Sequence, residues 1–205
     1  QGNTGLDLVR VTLPEGSTVR EMSAILGTEL PKDLEGYLFP DTYYFLPGMP
    51  PELIVDAMQG NYESKVAPLR SEIAASGHTE EEIIIMASIL EKEARKLETR
   101  KVIAGILWKR IEIGMPLQVD AVFGYIHATS TYSPTFEDLE VDSPYNTYTN
   151  RGLPPGPIGN PGLESIRAAL EPTKTPYLYY LTGKDGFMYY AKTFDQHVAN
   201  RRFLR

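Results

Sequence analysis

Two glutamates at the end of an apolar segment are the residues best suited to acid–base chemistry. Residues 83–94 read IIIMASILEKEA, so eight uncharged residues lead directly into Glu91, Lys92 and Glu93. A carboxyl group held in a partly apolar place has a raised pKa and can donate a proton near neutral pH. The same pattern also fits an ordinary helix end, where glutamates pair with nearby cations for only about 0.2–0.5 kcal/mol. Periodicity alone favours this second interpretation.

Helical geometry separates the two glutamates. Thr79 and Glu82 form the sequence pattern of a capping box, which predicts a helix from about 80 to 97. At about 100° per residue, Glu91 shares a side with the small residues Ala87 and Ser88. Glu93 falls on the opposite side, with the bulky residues Met86, Ile89 and Leu90. We therefore expect space for a ligand beside Glu91, and the margin of the core at Glu93.

Several other kinds of chemistry lack their usual sequence signals. The chain has no cysteine, which excludes a disulfide, a thiolate zinc site and a cysteine nucleophile. The three histidines have no metal-binding spacing, and no GxSxG, GxxxxGK[ST] or GxGxxG motif is present. The sequence thus predicts neither a metal nor a cofactor. Carboxylate chemistry on a surface rich in Tyr, Asn and Gln remains, the combination used by sugar-cleaving sites.

Composition limits the size and the partners. The 205 residues, 42% hydrophobic and 23% charged, suit one mid-sized domain with a buried core. A net charge of −7 argues against a nucleic-acid partner. No stretch is long and apolar enough to span a bilayer, and no signal peptide is seen. The start QGNTG does not look native, which suggests that an upstream segment was removed.

The order of the predicted elements favours an α+β fold over a parallel α/β fold. A mixed helical domain is expected, with a β-hairpin formed by two aromatic runs within 177–193. The strand and short helix before residue 33 resemble part of a LysM-like carbohydrate-binding module. A β–α edge of the main domain explains them equally well. Further helices are predicted at 51–76 (broken near Pro68), 98–114, 118–127, 161–170 and 194–204.

Four sequence blocks resemble those of the endolytic murein transglycosylases, the MltG or YceG-like family. ASILEKEA is similar to its ASIVEKE signature, and LEGYLFPDTYYF to its EGYLFPDTY block. RIEIGMPLQVDAVFGY and SPYNTYTNRGLPPGPIGNPG resemble two further blocks, and the aromatic tail matches as well. The blocks follow the family order over roughly 34–200. We accordingly predict a short LysM-like subdomain at 1–33 and a YceG-like catalytic domain at 34–205.

The resemblance implies a specific reaction. The substrate would be the β-1,4 bond from N-acetylmuramic acid to N-acetylglucosamine within peptidoglycan strands, and the product a 1,6-anhydro sugar. The family's essential glutamate falls on Glu91, which would act first as general acid and then as base, while Glu93 would have a supporting role. Penicillin-binding proteins are implied as partners. The implied location is the extracytoplasmic face of the membrane, with an N-terminal anchor as the only attachment.

Other residues are predicted to build the substrate groove. Gln118 and Asp120 are candidates for sugar contacts, although Asp120 fits local helix capping equally well. The candidates from the SPYNTY block are Tyr145, Asn146, Thr147 and Tyr148. Asn160 could contact sugar or cap the helix that follows. Supporting positions are Ser88, Tyr37 and Asp41, and His197 is expected to be a surface or hydrogen-bonding residue.

Two other functions remain open at this stage. A non-catalytic glycan-binding or scaffold module would keep the tyrosine-rich loops and would not need Glu91. A two-carboxylate hydrolase would use Asp120 or Glu93 as the partner of the acid and would release reducing ends instead of anhydro ends.

Overall fold

Helix α4 (Glu80–Glu93) lies at the centre of the main hydrophobic core. All eight residues from 83 to 90 are buried, as expected for a helix that is apolar on every side. The computed structural model describes residues 7–129 and 133–204. The predicted capping box is present, since the Thr79 hydroxyl accepts from the Glu82 backbone N–H (3.1 Å) and the Glu82 carboxylate accepts from that of Thr79 (2.8 Å).

Twelve helices and strands position the site within the described residues. The helices are α1 (Val19–Leu26), α2 (Pro51–Val66), α3 (Arg70–Ser76), α4 (Glu80–Glu93), α5 (Leu97–Glu112), α6 (Ala121–Ile126), α7 (Leu163–Leu170) and α8 (Phe194–Asn200). The strands are β1 (Val9–Thr12), β2 (Thr42–Phe45), β3 (Tyr179–Thr182) and β4 (Met188–Ala191). They form two separate two-stranded antiparallel sheets, so the α+β prediction is confirmed.

Helix α4 ends at Glu93, four residues before the predicted end. Ala94 is extended, with φ −152° and ψ 154°, and the Nε of Arg100 donates to its carbonyl oxygen (2.7 Å). Helix α5 begins three residues later and packs on α4 and α7. The early end places Glu93 at the tip of a buried helix.

The N-terminal elements surround a second hydrophobic cluster. Strand β1 pairs with β2, with Val9 opposite Phe45, and the side chains of α1 and α2 close the cluster. This pairing crosses the boundary predicted at residue 33 and supports the β–α edge interpretation. The LysM-like interpretation stays a prediction.

The C-terminal hairpin forms as predicted. Tyr179 of β3 lies opposite Ala191 of β4, and Gly186 takes a left-handed conformation with φ 78° in the connecting turn. The helix predicted at 194–204 is α8 followed by a 3₁₀ turn at Arg201–Leu204. Over the described ranges, no helix is both long and apolar enough to cross a membrane.

Candidate active site

A groove passes over the C-terminal tip of α4. It consists of two cavities of about 340 and 720 Å³, and Glu93 and Asp120 line both of them. We call the smaller cavity the first arm; its other lining residues include Thr18, Glu21, Lys92, Gly124 and Tyr125. We call the larger cavity the second arm; its other lining residues include Arg110, Gln118, Tyr148, Tyr180, His197 and Arg201. The two carboxylates therefore lie where the arms meet.

Glu93 is held as a weak acid at this junction. Burial raises its pKa to about 7, and the negative charge of Asp120 adds to the rise. The Tyr180 hydroxyl donates a hydrogen bond to its Oε2 (2.9 Å), and this bond and the charge of Arg110 act in the opposite direction. A carboxyl group with this pKa is present in both protonation states near neutral pH, as a group that both gives and takes a proton requires.

Asp120 lies opposite the helix tip and is held by a tyrosine of the SPYNTY block. The Tyr148 hydroxyl donates to its Oδ1 (2.5 Å). Asp120 stands immediately before α6, but its side chain makes no capping hydrogen bond, so local capping does not explain it. Gln118 lies nearby in the second arm with φ 49°, a left-handed conformation that is uncommon for a residue other than glycine.

Glu91 has a different environment. Its Oε1 pairs with the Nη2 of Arg100 (2.5 Å), its Oε2 accepts from the backbone N–H of Gly162 (2.9 Å), and its side chain is 6% exposed. A Cβ on Gly16 would lie only 3.1 Å from its Cγ. The expectation of open space beside Glu91 is therefore wrong, because the turn after β1, the start of α5 and the start of α7 fill that space.

Four predicted site residues are buried supports. Asn160 is fully buried: its Oδ1 accepts from the N–H groups of Gly36 (2.9 Å) and Leu38 (3.0 Å), and its Nδ2 donates to the Ser17 carbonyl and to Glu35. It does not cap α7, whose N-cap is Gly162. The other three are Asn146, Thr147 and Ser88. Their positions correct the expectation that Asn160, Asn146 and Thr147 contact sugar directly.

Asn146, Thr147 and Ser88 bind backbone groups of neighbouring loops. Asn146 donates to the carbonyls of Leu139 (3.1 Å) and Val141 (3.0 Å). Thr147 accepts from the N–H of Val119 (3.0 Å), and Ser88 accepts from that of Ile158 (3.0 Å). These contacts fix the loops that carry the groove walls.

The remaining predicted residues lie outside the junction. Tyr145 packs against Tyr125 of the first arm, with ring centroids 4.9 Å apart. Tyr37 packs against Tyr62, and Asp41 accepts from Asn61 (3.1 Å). Tyr37 and Asp41 therefore hold the β2 region against α2, and neither lines the groove.

Three residues of this region were missed by the sequence interpretation. Tyr180 orients Glu93, and the guanidinium of Arg110 donates to the carbonyls of Leu178 (2.7 Å) and Leu117 (2.5 Å), joining two walls of the second arm. Glu35 is a buried carboxyl whose pKa burial raises to about 7. The tyrosine-rich hairpin was a signal for Tyr180. No local pattern distinguishes Arg110 or Glu35 from a surface residue.

The fold and the site define a class: an α+β protein with a carboxylate-lined groove at the tip of a buried helix. Within the described part of the chain, no cluster of three His, Asp or Glu side chains could hold a metal ion. The YceG-like family matches residues 2–202, and the chain belongs to this family.

Curated relatives and a solved structure agree with this membership. The chain is 42% identical over 165 residues to an endolytic murein transglycosylase of Bacillus subtilis strain 168, covering 80% of this chain and 46% of that protein. It is 36% identical over 173 residues to a protein of the same name from Streptococcus pneumoniae D39, covering 82% and 31%. It thus spans less than half the length of these relatives.

The solved structure is that of a YceG-like protein from Listeria monocytogenes. It superposes with a TM-score of 0.85 at 33% sequence identity, and the match covers 93% of this chain and 75% of that one. The overall architecture described above is therefore shared with a solved member of the family.

Proposed function

We propose that this chain is the catalytic part of an endolytic peptidoglycan transglycosylase and that Glu93 is its proton donor. The names of the curated relatives support the activity. The observation that carries the assignment is the position of Glu93, a carboxyl group with a raised pKa that lines both arms of the groove. Sugars bound in the two arms would lie on both sides of the acid, which suits cleavage inside a strand.

One carboxyl group can perform both steps of the reaction. Protonated Glu93 donates its proton to the glycosidic oxygen, and the bond from that oxygen to the anomeric carbon of the muramic acid breaks. The resulting carboxylate then accepts the proton of the C6 hydroxyl of the same sugar while that oxygen bonds to the anomeric carbon. The products are a shortened strand and a 1,6-anhydro end, and Glu93 is protonated again.

Glu93 is a better candidate than Glu91, which the sequence favoured. A general acid must come within hydrogen-bond distance of the substrate oxygen. Both oxygens of Glu91 are already bound, one by Arg100 and one by the Gly162 N–H, and its side chain is almost fully buried. We therefore propose that Glu91 holds the tip of α4 in place and that Glu93 performs the chemistry.

A second candidate function follows from the place of Asp120. Because Asp120 lines the same junction as Glu93, its carboxylate could activate a water molecule, as in a two-carboxylate glycoside hydrolase. In the first proposal, Asp120 instead keeps Glu93 protonated and stabilises positive charge on the sugar ring. The two candidates differ in their products, which are anhydro ends and reducing ends respectively.

The substrate suggests a location and partners, which we also propose. Peptidoglycan lies outside the cytoplasmic membrane, so the protein would act on the extracytoplasmic face, held by an N-terminal anchor upstream of this chain. Penicillin-binding proteins are proposed partners because they synthesise the strands that it would cleave.

Digestion of purified peptidoglycan with this chain, with the product masses measured, tests the proposal. Fragments ending in 1,6-anhydro sugar are expected. Reducing ends, heavier by one water, would instead select the hydrolase. Glycan binding without new ends would select the non-catalytic module and contradict both enzymatic candidates.

A further inference from the structure

The outer part of the second arm differs in charge from the rest of the molecule. The chain has a net charge of −7, and the charged groups of the first arm are Glu21, Lys92 and the two junction carboxylates. The second arm is lined beyond the junction by Arg110 and Arg201. Arg110 is buried and acts on the pKa of Glu93, so the exposed Arg201 is the positive charge of the arm's outer part.

The two arginines act on the same part of the arm. Both arginines line the second arm with His197, whose pKa is lowered by burial and further by the charges of Arg110 and Arg201. Arg110 is buried and bound to backbone carbonyls, so it contributes charge rather than a free donor. Arg201 belongs to the final turn and, among residues 7–129 and 133–204, forms no ion pair with a carboxylate.

Apolar side chains stand beside this positive charge. Phe194, Val198 and Leu204 line the second arm and are 61%, 44% and 44% exposed. Phe194 and Val198 lie on α8, and Leu204 lies in the turn that carries Arg201. Exposed apolar residues gathered along one wall of a groove are typical of a binding surface. In a strand whose lactyl groups all carry peptides, those groups are amides, so the glycan itself is uncharged and gives no reason for the arginines.

We propose that the outer part of the second arm binds the acidic peptide attached to the glycan, with Arg201 contacting a peptide carboxylate. This inference rests on the proposed function, because it takes peptidoglycan as the substrate. The muramic acid next to the cleaved bond carries the peptide on its lactyl group, so a sugar at the junction would direct its peptide away from the glycan axis. Small apolar peptide side chains fit the apolar wall, and free carboxylates fit the basic outer end.

Arg201→Gln tests the proposal, with Arg202→Gln as the matched control. Arg202 is the adjacent arginine, its guanidinium lies over the Phe203 ring (4.7 Å), and it is not among the residues that line the second arm. Both variants remove one positive charge from the same turn. Each protein is given glycan strands that carry peptides and the same strands after amidase treatment, with the lactyl carboxylates that this treatment exposes capped as methylamides. Both cleavage and binding are measured.

Wild-type protein is expected to cleave peptide-bearing strands with roughly tenfold higher kcat/KM, the usual weight of one charge-assisted hydrogen bond. Arg201→Gln should lose this preference, so that its kcat/KM on peptide-bearing strands falls to its value on stripped strands. Arg202→Gln should match the wild type on both. Equal rates of the wild type on both substrates, or an equal loss by Arg201→Gln on both, would overturn the subsite.

The binding measurement separates this proposal from the proposed function. A preference for peptide-bearing strands that Arg201→Gln abolishes, without any cleavage by the wild type, would keep the subsite and reject the enzymatic activity. Cleavage by the wild type without any such preference in binding or rate would keep the enzymatic activity and reject the subsite.

Discussion

The two sides of the α4 tip place the same chemical group in opposite surroundings. On one side, Glu91 is nearly inaccessible and is bound by Arg100 and by the Gly162 N–H. On the other side, Glu93 faces the groove, receives one hydrogen bond from Tyr180 and lies near the negative charge of Asp120. The partners of Glu91 bind both of its oxygens, whereas burial and the charge of Asp120 raise the pKa of Glu93.

The comparison shows how one helix end can serve both structure and chemistry. Arg100 binds Glu91 and also the carbonyl of Ala94, so it fixes the point where α4 stops. The position of Glu93 relative to the groove then depends on that stop. In the proposed mechanism, the structural carboxylate of Glu91 is thus a condition for the reactivity of Glu93.

The largest expected effect comes from removing the cation that pairs with Glu91. Arg100→Met leaves Glu91 buried without its cation, which typically costs about 3–5 kcal/mol of stability. The midpoint of thermal unfolding should fall by roughly 10 °C. The double variant Glu91→Gln/Arg100→Met should recover part of the loss, since no uncompensated charge remains. Wild-type stability of the single variant would show that the pair is unimportant.

A second prediction uses Glu35, a buried carboxyl that resembles Glu93 rather than Glu91. Burial raises its pKa to about 7 in the fold, against 4.5 for an unperturbed glutamate, so between these pH values the folded chain holds more protons than the unfolded chain. Its favourable contribution is complete below pH 4.5 and is lost as pH rises through 7. Glu93 acts in the same direction.

Urea unfolding at pH 5 and pH 8 measures this effect. The wild type should be less stable at pH 8, by on the order of 2 kcal/mol for Glu35. Glu35→Gln should reduce the difference between the two pH values. An unchanged difference would mean that Glu35 does not bind its proton in the fold.

Asp120→Asn tests how the neighbouring negative charge affects Glu93. Removing the negative charge lowers the pKa of Glu93, so less of it is protonated at neutral pH. The high-pH limb of the rate profile should move to lower pH, with a severalfold loss of rate at pH 8. Initial rates across pH 4–9 measure this. Loss of rate at every pH, with reducing ends in the wild-type products, would favour the hydrolase.

Tyr180→Phe should give the smallest effect, in the opposite direction. The hydroxyl favours the ionised form of Glu93, so its removal raises the pKa of Glu93 and moves the high-pH limb to higher pH. The stability cost should be about 1 kcal/mol. Tyr189→Phe is the matched control, because the hydroxyl of this half-buried hairpin tyrosine donates to Asp185 and not to Glu93, so the variant should leave the high-pH limb in place. A shift to lower pH in Tyr180→Phe would contradict the account.

Local sequence patterns were enough to predict the elements whose structure depends on residues nearby in the chain. The capping box of α4 and the aromatic hairpin were both predicted, and the resemblance brought Gln118, Asp120 and Tyr148 to one groove. The capping box and the hairpin follow from capping and turn chemistry, which operate over a few residues, whereas the three groove residues were implied by the family resemblance.

The surroundings of the two glutamates depend on contacts that no local pattern contains. Helical geometry separated Glu91 from Glu93 correctly, but it could not show which side meets another segment. Gly162 is 71 residues from Glu91 in the chain, and Arg100 lies beyond the end of the helix. Small residues beside Glu91 suggested space for a ligand, and the fold uses that space for close packing.

The most direct test of the central claim compares Glu93→Gln with Glu91→Gln on purified glycan strands, at a temperature where both variants are folded by circular dichroism. The account predicts that Glu93→Gln loses at least about a hundredfold of anhydro-product formation, while Glu91→Gln, although less stable, still forms these products. Anhydro ends formed by folded Glu93→Gln at the wild-type rate, with none formed by folded Glu91→Gln, would contradict it.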